Sequence, residues 1–303
     1  MHKVESSLQF APWVKAIAHS STRLFVGEVT SRVKDCVELD RELPDSHEWH
    51  FTTDEVFANR AKREPRNLFA LSELYWTDML NNIKAYNLTT CWRALELLKP
   101  AIRCLNAKEI IPAAVCARSL LELAAAYVIN ANTLSATFSQ LETVDKSRPL
   151  SIGFNKEIET AIVRMLWGTR LPDQPDYVRQ KNISSLIQRV AKRPHQQDLL
   201  PTYEYLCEIA HPNVVGNARF WSHVKRVLPN GTEIRVISRS SAEKGSEAGS
   251  EAARGIVERI LWAISWSSAC VKDSYSMLTK SITIVQQHFE RNRLGPRNPT
   301  NAK

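Results

Sequence analysis

The sequence predicts an all-α protein: a helical bundle with a long C-terminal helix and one small inserted β-hairpin. Three observations carry that reading. Apolar residues recur at three- and four-residue spacing through most of the chain from residue 66 onward. The longest such stripe lies near the C-terminus. Asn230-Gly231, set between two β-branched runs, breaks the helical period once, and Asn-Gly is the strongest short hairpin signal. Glycine is scarce, nine in 303 residues, which disfavours sandwiches and Gly-rich nucleotide loops.

Residues 1–64 read as an N-terminal helical segment. Phe10–Ile17 and Leu24–Leu39 suggest two helices, and Leu43–Phe51, with Pro44 and Asp45, a loop. Thr52-Thr53-Asp54-Glu55 fits a capping box that opens a short third helix. The basic stretch Asn59–Arg66 reads as a solvated linker, with an RNA-contacting patch as the alternative.

The bundle domain is expected over 65–292. A helix over 66–86 places Trp76, Leu80 and Ile83 on one face, and Asn87 is its expected stop. The next, 89–106, carries Cys91, Leu95, Leu98, Ile102 and Leu105 on an inward stripe, with Pro100 as a kink. Further helices are expected over 108–131, over 154–167 (Phe154, Ile158, Ala161 and Met165 on one side), and over 180–192. Another runs from Pro201, a first-turn residue, to His211, where Pro212 ends it. The hairpin falls at about 218–239, Ser240–Ser250 is a polar loop, and 293–303 is a disordered basic tail. In the last helix Val257, Leu261, Ile264, Ser268, Val271, Tyr275, Leu278, Ile282, Val285 and Phe289 keep an unbroken four-three alternation. That stripe is either a packing face of the bundle or the seam of a homodimer.

A net charge of +8 and a pI near 9.2 make RNA or DNA a candidate partner. The six cysteines form no CxxC pair and most sit in apolar helical runs, so reduced core thiols in a cytoplasmic protein are expected. The N-terminus lacks the pattern of a signal peptide, no uninterrupted apolar run approaches the ~20 residues of a membrane span, and no membrane partner is expected. No GxxxxGK[ST], GxGxxG, GxSxG or HExxH motif occurs, so no cofactor is expected. His47 and His50 read as surface residues without a matching ligand set.

One polar cluster stands out. Between Ile110 and Ile129 the chain reads IIPAAVCARSLLELAAAYVI, where the only charges are Arg118 and Glu122, one helical turn apart. Charges on a helix that is apolar all round are expected to be buried, and buried charges need partners. Tyr203–Asn213 (YEYLCEIAHPN) offers Glu204, Glu208 and His211 on one face, with His211 at the helix end, where the dipole favours a cation. Arg118, Glu122, Glu208 and His211 are therefore expected to meet in a polar knot inside the bundle. Three readings of it stay open: a structural network that fixes helix register; a catalytic site with His211 as acid or base and Arg118 on a developing phosphate charge; or a metal site built on Glu208-x-x-His211 with Glu122 as an extra ligand.

Arg118-Ser-Leu-Leu-Glu122, followed by Tyr203-x-x-Leu206-x-Glu208-x-x-His211-Pro212-Asn213, resembles a large set of bacterial helical proteins distantly related to the HEPN and abortive-infection (AbiV-like) families. The resemblance covers roughly residues 70–290. It implies a helical bundle, often dimeric, and in some members a metal-independent ribonuclease of defence or toxin systems, with Arg118 and His211 as the active pair here. Active HEPN members carry Arg with His four to six residues later on one helix. Arg41–His47 and Arg189–His195 have the spacing, but Pro44 and Pro194 break any helix between them, so Arg118 and His211 would have to meet through space. Two functions follow: a partner-binding protein of a regulatory or defence kind, or such a ribonuclease.

Overall fold

The computed structural model describes residues 8–20, 26–50, 52–139, 156–169, 171, 173–179, 182–211, 222–237 and 250–293. Its α-helices are α1 (Pro12–Ser20), α2 (Val26–Glu42), α3 (Asp54–Arg63), α4 (Leu68–Asn106), α5 (Ile110–Ser139), α6 (Lys156–Trp167), α7 (Ile183–Ala191), α8 (Leu199–Ala210) and α9 (Ser250–Arg293). Strands β1 (Ser222–Val227) and β2 (Glu233–Ile237) pair antiparallel as the inserted hairpin. The protein is thus an all-α helical bundle with a long C-terminal helix and a small hairpin.

The expected stop at Asn87 does not occur; α4 runs unbroken through it for 39 residues. Asn is a helix breaker when its side chain competes for nearby backbone. Here the side chain is buried and spent elsewhere. Its Nδ2 donates to the Tyr275 carbonyl (3.4 Å) and to Thr279 Oγ1 (3.2 Å), and its Oδ1 accepts from the Tyr127 hydroxyl. Pro100 is tolerated inside the same helix. The carbonyl it deprives of a donor belongs to Glu96, an exposed residue that water can serve. Helix α4 ends where Lys108 takes a left-handed conformation (φ +63°), with Lys108 N donating to Leu105 O (3.0 Å) and Glu109 N to Cys104 O (2.8 Å). Those two hydrogen bonds are the pair that defines a Schellman stop, made without the usual glycine.

Other boundaries shift for local reasons. Helix α3 takes Thr53, the second residue of the expected box, as its N-cap, with Val56 N donating to the Thr53 side chain (3.4 Å). The expected basic linker is in large part helix: Arg60, Lys62 and Arg63 fill the last turn of α3, where the helix dipole favours cations. Helix α5 extends past residue 131 because Leu134 and Phe138 continue its buried face. Helix α8 begins at Leu199, so Pro201 still lies in the first turn. Gly231 (φ +83°) supplies the left-handed residue of the hairpin turn, and Thr232 N donates to Asn230 Oδ1 (3.0 Å). Phe154, the loop before Ser250 and the tail from residue 294 lie outside the described residues, as do the side chains of Ile158 and Phe289.

Two compact units form, each drawn from three stretches of chain. One takes its residues from Met1–Arg41, Arg93–Ala126 and Ile183–Val271, and the other from Glu42–Trp92, Tyr127–Asn182 and Lys272–Lys303. Residues 1–64 are therefore no unit of their own. Val29, Val33 and Cys36 of α2 are buried in the first unit's core, which also holds Leu98, Ile102, Leu120, Leu121, Leu206 and Ile264. The second unit's core holds Ile83, Cys91, Leu134, Phe138, Leu278 and Val285, with Trp76 edge-on to Phe138 at 5.9 Å. From Val257 to Val285 the α9 stripe is buried within the chain itself, apart from half-buried Tyr275, so it serves as a packing face. Despite Arg118 and Glu122, α5 is long and apolar enough by length and composition to cross a membrane. In this fold it lines the core with Ala113, Ala114, Ala117, Leu120 and Leu121.

Candidate functional site

Arg118 and Glu122 do pair. Arg118 Nε donates to Glu122 Oε1 at 3.1 Å, as their one-turn spacing on α5 requires. They are not sealed in a dry interior: their side chains remain 26% and 24% exposed. The reason lies in the rest of their face. Pro112 and Val115 are exposed, Ile111 and Ser119 half-buried, and the buried side of α5 is its alanine side. An apolar sequence all round the helix thus overstated its burial.

The partner from α8 is Tyr203, not Glu208 or His211. The Tyr203 hydroxyl donates to Glu122 Oε1 (3.1 Å), and the Arg118 guanidinium lies over the Tyr203 ring at 5.9 Å. Helix α8 turns Leu199, Thr202, Tyr203, Leu206 and Ile209 inward. Glu204, Glu208 and His211 share a face, as their spacing requires, but it is the exposed face. His211 is the C-cap, its backbone N donating to Cys207 O (3.0 Å). No hydrogen bond or ion pair joins it to Arg118 or Glu122 among the described residues. The expected knot of Arg118, Glu122, Glu208 and His211 is thereby replaced by Arg118, Glu122 and Tyr203, with Cys207 alongside.

Electrostatics fit a resting network. Partial burial alone would lower the Arg118 pKa, but Glu122, with Cys207 and Tyr203, outweighs it and holds the guanidinium above its ordinary value. Burial pushes the Tyr203 hydroxyl up, reinforced by Cys207 and Glu122. Burial also raises the Cys207 thiol, against the lowering pull of Tyr203 and Arg118. At neutral pH the cluster therefore holds a fixed cation, a protonated tyrosine and a protonated thiol, neither of the last two activated as a nucleophile or base.

Arg259 of α9 is a neighbour that the sequence gave no reason to single out. It donates to Thr202 Oγ1 (3.0 Å) and lies over the Tyr205 ring at 5.8 Å. Helix α8 is thus braced by two arginine–tyrosine contacts. A tyrosine within the inward apolar stripe of α8 was the available signal for the first. Elsewhere His50 is exposed beside Glu48 (3.5 Å), whereas the Nε2 of His47 is buried and unpartnered, unlike a surface histidine. Among the described residues, no group of three His, Cys, Asp or Glu side chains converges closely enough to hold a metal ion. No family model, no curated protein and no solved structure matches the chain.

Proposed function

We infer that the chain is a partner-binding helical-bundle protein of a regulatory kind, and that the Arg118–Glu122–Tyr203 cluster is a structural brace. The observation that carries this is that one carboxylate, Glu122, holds both other members of the cluster. Glu122 accepts from both Arg118 and Tyr203, and Arg118 lies over the ring that completes the triangle. A general base must lie within hydrogen-bond reach of the proton it takes, and His211 is the exposed C-cap of α8, with no hydrogen bond or ion pair to Arg118 or Glu122 among the described residues. An acidic partner, RNA included, suits the net charge of +8 and the exposed cations Arg60, Lys62 and Arg63 on α3. In the setting implied by the resemblance, the role would be in bacterial defence.

Incubation of purified wild type, Arg118→Ala and His211→Ala with single-stranded and structured RNA tests the reading. The expected result is that none of the three cleaves. Cleavage by wild type that both substitutions abolish would overturn it in favour of a HEPN-like ribonuclease.

A further inference from the structure

We propose that the hairpin is a self-association element: the free edge of β2 pairs antiparallel with β2 of a second copy, joining two hairpins into one four-stranded sheet. The two edges of the hairpin are unlike. Strand β1 is irregular between Val224 and Arg226, where Lys225 is an extra residue against a regular β2. A bulge and an edge lysine both discourage strand addition. Strand β2 (Glu-Ile-Arg-Val-Ile) has no bulge, proline or lysine, and among the described residues it pairs only with β1. Its last residue, Ile237, is 79% exposed. Such an edge is a ready template for another strand.

The backbone limits which residues can meet. Leu228 N donates to Thr232 O, so the polar backbone groups of Thr232 face β1. By alternation those of Ile234 and Val236 also face β1, and those of Glu233, Arg235 and Ile237 point outward. A two-fold pairing must set outward residues against outward residues. Centring it on Glu233 opposes two glutamates, and centring it on Arg235 opposes two arginines. Centring it on Val236 pairs Arg235 with Ile237 and uses no charge. Only centring on Ile234 sets Glu233 of each copy against Arg235 of the other. Opposite charges directly across a strand pair stabilise it and like charges destabilise it. The contact is isologous, as a two-fold dimer requires. Within one copy Arg235 donates to Glu233 (2.7 Å), but both side chains are about half exposed, so that pair is readily shared with the second copy.

The test is sedimentation velocity over a concentration series in about 0.15 M salt, where the ~8 Å screening length mutes repulsion between two basic chains. Wild type is expected to dimerise. Arg235→Glu and Glu233→Arg each place like charges opposite one another at two symmetry-related positions and are expected to raise the dissociation constant about tenfold or more. Far-UV circular dichroism confirms that each variant is folded. Mixed in equal amounts, the two variants are expected to form a heterodimer, because every facing pair is again opposite in charge. The double variant Glu233→Arg/Arg235→Glu is expected to dimerise like wild type. Ile234→Cys is expected to link two copies under mild oxidation beyond any wild-type background, since the two Cα atoms would lie about 4.5 Å apart, within disulfide reach. A wild type that stays monomeric, a dimer indifferent to both charge reversals, or a mixture of the two variants that stays monomeric would each overturn the proposal.

Discussion

Asn87 and Tyr127 form a buried polar pair whose energy can be isolated by a double-mutant cycle. Tyr127 is fully buried, and its hydroxyl donates to Asn87 Oδ1, with the Cys91 sulfur 3.5 Å away as a weak second partner. Asn87→Leu removes the acceptor and strands the hydroxyl. The Tyr275 carbonyl keeps its own place in the α9 ladder, and Thr279 is exposed, so both lose little. Tyr127→Phe strands Asn87 Oδ1 instead. Leaving a buried polar group unpaired costs about 1–3 kcal/mol, whereas replacing both partners by apolar groups can be nearly neutral. Each single change is therefore expected to cost about 2 kcal/mol, and the double change no more than one single, a coupling of at least about 2 kcal/mol. Urea unfolding followed by circular dichroism and by fluorescence measures this, with coincident transitions as the two-state check and an unchanged m-value. Simple additivity, with the double variant losing about 4 kcal/mol, would refute the claim that the two side chains satisfy each other.

Two further outcomes follow from the same structure. Lys108 holds a left-handed conformation at the end of α4 and stacks on Trp13 at 5.9 Å, so Lys108→Gly and Lys108→Ala both lose the stacking but only glycine loses the backbone strain. The glycine variant should exceed the alanine variant by about 1 kcal/mol in urea unfolding, and equal stabilities would show that the turn is unstrained. At high pH the chain should lose stability. Burial, reinforced by Cys91, raises the Tyr127 pKa, and burial pushes Tyr86 up to about 12 despite a hydrogen bond from Asn130. Between about pH 10 and these folded values the native state holds protons that the unfolded state has released, so stability falls as pH rises and is intact below 10. A flat denaturation midpoint from pH 9 to 11.5 would contradict this, and Tyr127→Phe should flatten the slope.

Helix α9 was legible in the sequence because its four-three alternation is long and unbroken, and the hairpin because Asn230-Gly231 leaves few alternatives. The continuity of α4 was not legible. Asn87 is a local stop signal, and what overrides it are partners 40 and nearly 200 positions away. The Arg118–Glu122 pair was visible from its spacing, but its third member was sought among charged residues. The apolar period of α8 itself, Leu199, Leu206 and Ile209, marks which side faces inward, and Tyr203 is the polar residue on that side. Charge drew attention to Glu208 and His211, which lie on the exposed face of α8, where most charged residues of a helix lie.

Helices α4, α5 and α9 each contribute residues to both compact units. Neither unit therefore corresponds to a continuous stretch of coding sequence. Truncation within any of these helices damages a helix on which both depend, and no simple gene fusion could transplant one unit alone.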